Sequence, residues 1–239
     1  RVVMLDPKWD EGHSQRIVDD VEKKLNRWTY PARQRRDAAI AELRRAFKAT
    51  PERLQAVENA YQRARADLYP RAAWLSCVEI GIVENLPRNR EAIRIATKHI
   101  EAGDSVLVLV NQVEHAKLVA AALPGAVACF SKMGADKRKR ALEGFSDGRK
   151  RCIVATSLAD EGLDVPRANV LVLISGGSSK AKTEQRTGRV LRKFAGKSHG
   201  VIYDFMDSEH ELMQRHAKKR LALYRQLGYE IKEQRDNGT

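Results

Sequence analysis

The segment Gln185-Arg186-Thr187-Gly188-Arg189-Val190-Leu191-Arg192 holds the residues best suited to chemistry on an anion. On a helix, Gln185, Arg189 and Arg192 fall at i, i+4 and i+7 and share one face. Glu184 is the one carboxylate nearby, so this face makes a poor internal salt-bridge network. It makes a good clamp for a polyphosphate, because a guanidinium offers fixed, bidentate donor geometry. Arginines set against a transferring phosphoryl group stabilise the charge that develops there, an effect on the order of 10³–10⁵ in rate.

A second constellation runs from Thr156 to Pro166. It follows the strand-like Cys-Ile-Val-Ala of 152–155. A hydroxyl at a strand end, beside free backbone N–H groups, is a natural phosphate contact. Gly162 permits a turn with close backbone approach. Asp164 is an acceptor that could hold a ribose hydroxyl. Gly196-Lys197-Ser198 resembles the tail of a phosphate loop, but position 191 is Leu where that loop needs Gly. It also runs from a helix pattern into a strand pattern, the reverse of what the loop requires. No other phosphate-loop pattern occurs, and no acidic Walker B or DExx segment follows an apolar strand. The chain thus carries groups that could sense a γ-phosphate without a cradle for it or a carboxylate pair for Mg²⁺. Cys77, Cys129 and Cys152 form no CxxC pair, and the histidines, His115 and His210 among them, lack paired metal spacing. No metal site is expected, and the thiols read as free and buried.

The elements that position these residues differ between two parts of the chain. Residues 13–76 read as wholly helical. Ile17, Val21, Leu25 and Trp28 are spaced by 4, 4 and 3; Ile40, Leu43 and Phe47 follow; Leu54, Val57, Tyr61, Ala64 and Leu68 continue in steps of 3 and 4. Such a narrow seam suits a helical hairpin or short coiled coil. Its outer faces carry Arg33, Arg35, Arg36, Arg44, Arg45, Arg53, Arg63 and Arg65, which read either as a solvated face or as a grip on nucleic-acid backbone. From about residue 88 short β-branched runs alternate with amphipathic stretches. Strands are expected at 105–110, 126–130, 151–156, 169–175 and 200–205, and helices near 89–102, 112–123, 135–146, 181–194 and 208–227. Strand–helix alternation at this spacing predicts a parallel, doubly wound α/β sheet. Ligands of such sheets sit beyond the carboxyl ends of the strands, so the chemistry, the two arginines included, is expected just after 110, 130, 156 and 175.

The 239 residues include 44 Lys and Arg against 31 Asp and Glu, a net charge of +13, with 43% hydrophobic residues. That composition excludes a disordered tail and a disulfide-stapled scaffold. No apolar run reaches the roughly 18 residues of a membrane helix, so no membrane partner is expected. A pI near 9.8 points to an anionic partner, with nucleic acid first. Lys132, Lys137, Arg138, Lys139, Arg140, Arg149, Lys150 and Arg151 border one helix pattern; Lys180, Lys182, Arg186, Arg189, Arg192, Lys193 and Lys197 border another. Such patches give salt-dependent, sequence-independent binding.

Taken in order, these segments resemble the second RecA-like domain of superfamily 2 helicases. Gln185–Arg192 is similar to motif VI and Thr156–Pro166 to motif V. Val106–Asn111 with Glu114 is similar to motif IV, and Gly134–Phe145 with Arg138 to motif IVa. The XPB-type DNA helicases share most: Asp160, Asp164-x-Pro166, Asn169-Val-Leu, the Ile174–Gly177 stretch, Gly188-Arg-Val-Leu-Arg192, and Lys219-Arg220 ahead of Gly228-Tyr229. The likeness covers roughly residues 90–232. Ser157, where Asp is common, and Glu161 depart from motif V.

The resemblance implies a RecA-like fold for 77–239, a thumb-like helical insertion at 13–76, and a strand or linker at 1–12 leaving an N-terminal motor domain. It implies ATP and Mg²⁺ as cofactors, held mainly by that N-terminal RecA-like domain of the same protein. Arg189 and Arg192 would be arginine fingers, Gln185 a γ-phosphate sensor, and Gly162 and Asp164 part of the ATP site. Thr156, Asn111, Gly134 and Arg138 would contact nucleic acid. The implied activity is an ATP-dependent DNA helicase or translocase, acting in the cytoplasm or, in a eukaryote, the nucleus. An RNA helicase and a non-catalytic nucleic-acid-binding module are the alternatives. A Rossmann enzyme is disfavoured, because no GxGxxG follows any strand.

Overall fold

Val106–Val110 is apolar at every position and is buried on both faces as a central strand. Around it lies a sheet of seven strands: β1 (Val2–Asp6), β2 (Val106–Val110), β3 (Val127–Cys129), β4 (Cys152–Thr156), β5 (Val170–Leu173), β6 (Val201–Phe205) and β7 (Ile231–Arg235). Their order is β3-β4-β2-β5-β6-β1-β7, and all neighbours run parallel. Val106 sits opposite Cys152 on one side and Val170 on the other. The computed structural model describes residues 1–46, 48–156, 165–192, 194 and 197–235.

The helices are α1 (His13–Trp28), α2 (Tyr30–Arg45), α3 (Pro51–Ser76), α4 (Leu86–Glu101), α5 (Val113–Ala121), α6 (Ala135–Ser146), α7 (Lys180–Leu191) and α8 (Glu211–Gln226); a π-helical stretch, Cys77–Val83, follows α3. From β2 to β3 the chain crosses the sheet in one direction, and every later crossover runs in the other. Right-handed connections therefore put α5 on one face and α6, α7 and α8 on the opposite face. His115 of α5 reaches Asn89 of α4 (2.9 Å), and Lys180 of α7 reaches Gln226 of α8 (3.1 Å), as that division requires. The fold is the expected doubly wound α/β sheet, and the five strands expected after residue 100 are all present.

Two strands differ from expectation. Val2–Asp6, expected as a strand or linker leaving another domain, is an interior strand here, paired with both β6 and β7. Its run of four buried residues is what an interior position demands. Ile231–Arg235 had no apolar run to announce it; as an edge strand it buries little and keeps Lys232, Glu233 and Gln234 exposed.

The chain divides into two units, Gly12–Gly81 and Arg1–Glu11 with Ile82–Thr239. In the helical unit, α1 buries Ile17, Val21 and Leu25, the expected seam. Tyr61 of α3 is buried, whereas α2 buries no side chain fully. Phe47 lies outside the described residues. Two of the arginines tie helices together rather than facing water alone. Arg65 pairs with Glu22. Arg36 lies 3.5 Å from Glu58 and 4.5 Å from the Tyr61 ring centre. Cys77, Cys129 and Cys152 are buried and free, and burial pushes the Cys77 and Cys152 thiols up to about 12. No described helix is long and apolar enough to cross a membrane.

Candidate functional site

Parallel strands fix the direction of what connects them. A crossover helix must carry the chain from the carboxyl end of one strand back to the amino end of the next. Helix α7 obeys this. Ser179 caps its start by accepting from the Lys182 N–H (3.4 Å), and Arg186, buried, donates to Ser175 Oγ (3.3 Å) at the carboxyl end of β5. Its far end lies at the other edge of the sheet. There Lys197 Nζ donates to the carbonyls of Arg192 (3.1 Å) and of Pro166 (3.4 Å), which precedes β5. Arg192 is the C-cap of α7, and Arg189 lies in its last turn.

The expectation that all the chemistry sits past the carboxyl ends of the strands is therefore corrected for the two arginines. They lie toward the amino edge because the helix that bears them returns the chain to that side. Gln185 and Arg192 are exposed and Arg189 is half-buried. Gly162 and Asp164 lie outside the described residues.

The other candidates stay at the carboxyl rim. Asn111 follows β2, and its Nδ2 donates to the Ser175 carbonyl (2.5 Å), tying the ends of β2 and β5 together. Thr156 ends β4; it is buried, and its hydroxyl has no partner among the described residues. Gly134 caps the start of α6, with its surface exposed, and Arg138 one turn on is exposed as well. The open first turn of α6, with N–H groups facing outward and a cation beside them, suits a phosphate. The structure thus separates the candidates into a rim set (Asn111, Thr156, Gly134, Arg138) and an amino-edge set (Arg189, Arg192).

Beneath the rim lies a buried charged network that the motifs did not indicate. The Arg88 side chain is wholly buried in the first turn of α4. It pairs with Asp207 and donates to the Ile174 carbonyl (3.0 Å), and its guanidinium lies 4.0 Å from the centre of the Phe205 ring. Burial, with the charge of Arg220 nearby, pushes it down to about 9. Asp207 adopts φ +53°, a left-handed conformation that a residue other than glycine holds only when its surroundings compel it. Arg220 of α8 donates to Asp204 (2.7 and 2.9 Å), to the Phe205 carbonyl (3.0 Å) and to the Gly177 carbonyl. Tyr224 also donates to Asp204 (2.7 Å). Burial and the Asp204 charge hold the Tyr224 phenol well above its usual range. These bonds fix the loops after β5 and β6. The signal in the sequence was spacing: Arg88 falls four and seven residues before Ala92 and Ile95, on the buried stripe of α4.

The amino edge has a network of its own. Asp104 accepts from Asn169 (2.6 Å) and meets His99 Nδ1 (2.6 Å), whose Nε2 meets the Tyr203 hydroxyl (2.8 Å). Burial would raise the Asp104 carboxyl, but the bonds from His99 and Asn169 hold it below its ordinary value. Among the described residues no group of three or more His, Cys, Asp or Glu side chains gathers as a metal site. Beside the Arg192 carbonyl, the described side chains of Lys197, Arg151 and Arg167 are cations, which fits phosphate oxygens and not a divalent cation.

Residues 88–194 match the family described as the helicase conserved C-terminal domain. The DNA 3'-5' translocase XPB2 of Sulfurisphaera tokodaii is 44% identical over 62 residues, covering 26% of this chain and 14% of that protein. The pre-mRNA-splicing ATP-dependent RNA helicase PRP28 of Pyricularia oryzae is 32% identical over 127 residues, covering 48% of this chain and 19% of that protein. Each match therefore spans less than a fifth of the relative's own length. Among solved structures, T4 UvsW aligns with a TM-score of 0.52 at 19% identity, covering 62% of this chain and 34% of that one, a likeness of fold.

Proposed function

We propose that this chain, whose residues 88–194 match the helicase conserved C-terminal domain, is the C-terminal half of an ATP-dependent DNA helicase or translocase, carrying a thumb-like helical insertion. The observation that carries the reading is α7, which brings Arg189 in its last turn and Arg192 at its C-cap to the edge where Lys197 donates to the Arg192 carbonyl. An N-terminal RecA-like domain of the same protein holds ATP and Mg²⁺ against that edge. ATP supplies the free energy of movement.

The arginines of this half act on the phosphates. Their guanidinium groups donate to the γ-phosphoryl oxygens as charge builds there, and Gln185 bonds the same group. Gly162 and Asp164 complete the nucleotide contacts. The opposite rim holds the strand: the N–H groups after Gly134 and the Arg138 side chain take backbone phosphates, and Asn111 and Thr156 flank them. Nucleotide and nucleic acid thus engage opposite edges of one rigid sheet. Closure of the nucleotide cleft then displaces the rim along the strand.

Two measurements test the reading. The purified chain alone should hydrolyse no ATP, with or without nucleic acid; stimulated turnover by the chain would overturn the two-half arrangement. In the full-length protein, Arg192→Ala should lower turnover by about 10³-fold or more while DNA binding stays within a few-fold of the parent. Loss of binding with normal turnover would refute the finger role. Side-by-side binding of DNA and RNA strands decides between the DNA reading and the RNA helicase alternative that the PRP28 likeness keeps in view.

A further inference from the structure

Three cations line a cleft at the amino edge of the sheet, away from Asn111 and Thr156. Arg151 precedes β4, Arg167 precedes β5 and Lys197 precedes β6. With Gly103, Ser105, Asn169 and Phe194 they enclose about 170 Å³. Arg151 Nη1 donates to the Gly103 carbonyl (2.8 Å), and Arg167 Nε donates to Ser105 Oγ (3.2 Å). Both guanidiniums keep further N–H donors after those bonds. No carboxylate lies within ion-pair distance of any of the three among the described residues. The acids of the neighbourhood are engaged elsewhere. Asp104 accepts from Asn169 and meets His99 and, at 3.3 Å, His199; Asp147 pairs with Arg149 (2.6 Å). Burial pushes the Lys197 ammonium down, with no anion to offset it.

The nearest offset is the Asp147 carboxylate, which its partner Arg149 holds down and the Arg167 charge draws down further from beyond ion-pair distance. Three cations sharing the cleft with only that acid nearby repel one another, and an anion placed between them lowers that cost. We propose that this cleft binds a phosphoryl group between Arg151, Arg167 and Lys197, with the Ser105 hydroxyl as a further donor. The size restricts the ligand. At about 170 Å³ the cleft is smaller than the roughly 300–1,000 Å³ of sites that engulf a small molecule. It takes inorganic phosphate, pyrophosphate or the phosphate tail of a nucleotide whose base lies outside. The cleft rests on its own charges and not on the motor reading, although Lys197 links it to the Arg192 carbonyl.

Calorimetric titration of the whole chain with inorganic pyrophosphate at low salt tests the site. One saturable site is expected. Arg167→Gln and Lys197→Gln should each weaken it about tenfold or more, the cost of a charge-assisted bond. Lys197→Arg should retain most of the affinity, and Lys218→Gln, an exposed cation of α8 outside the cleft, should leave it unchanged. Competition by ATP assigns the cleft to a nucleotide tail, and pyrophosphate binding that ATP does not displace assigns it to the free anion. Absence of saturable pyrophosphate binding, or binding that survives both glutamine substitutions, overturns the proposal. So does binding of an oligonucleotide with none of pyrophosphate. Thermal melts of each variant confirm that a lost site is not a lost fold.

Discussion

His115 shows how one side chain makes stability depend on pH. It is buried, it is bonded through Nε2 to Asn89, and its Nδ1 has no partner among the described residues. Burial, reinforced by the charge of Arg88, pushes the imidazole down to about 4 from an ordinary 6.5. Above pH 6.5 the ring is neutral in both folded and unfolded chains. Between 6.5 and about 4 the unfolded chain takes up a proton that the folded chain refuses. Stability therefore falls on acidification through that window, by up to about 1.4 kcal/mol per pH unit from this group. Urea unfolding at a series of pH values should show the slope, and His115→Gln should remove about one proton's worth of it. An unchanged slope in the variant would refute the assignment. The residues themselves were unequally legible. Gln185, Arg189 and Arg192 stood out because a helix groups i, i+4 and i+7. Asp207 did not, because its buried ion-pair partner Arg88 lies 119 positions away and such a pairing leaves no local pattern.

At the scale of elements, the start of α4 sets the rim. Asn85, fully buried, accepts from the Arg88 N–H (3.1 Å) and so fixes the turn from which the Arg88 side chain departs. Asn89 Nδ2 donates to the carbonyls of Ile82 (2.9 Å) and Val83 (3.0 Å) and closes that turn. Asn85→Ala should cost about 1–2 kcal/mol, a lost helix cap, seen as a lower melting temperature; Asn85→Ser, which keeps an acceptor, should recover most of it. No change in the alanine variant would mean that the cap contributes nothing. Elements with their own hydrophobic period were readable: β2, β4 and β5 from their continuous apolar runs, α1 from its seam. β7 was not, since an edge strand of Ile-Lys-Glu-Gln-Arg draws its order from β1 and not from its composition. Arg189 and Arg192 lie toward the amino edge, not past the strand ends, because a crossover helix carries its last turn back to the start of the next strand.

For the whole molecule, the decisive fact is that β1 belongs to a sheet built otherwise from residues beyond 105. A fragment begun at Ile82, where the sheet unit resumes, keeps every helicase-like motif and loses β1. The edge of β6 is then open, and β7 has no neighbour left. An open parallel edge is a template for other chains. Such a fragment should elute from a sizing column as mixed oligomers, and a peptide of residues 1–7 added in excess should return it toward monomer. A clean monomer without the peptide would show that β1 is dispensable.

The same pairing orders events at the ribosome. Val2 finds its partners in Ile202 and Ile231, so β1 leaves the ribosome some two hundred residues ahead of the strands it pairs with. The helical unit, complete by Gly81, can condense while the sheet is still being translated. Through that interval Val2-Val3-Met4-Leu5 is a sticky tether with nowhere to dock, and it is there that a nascent chain of this protein calls for a chaperone.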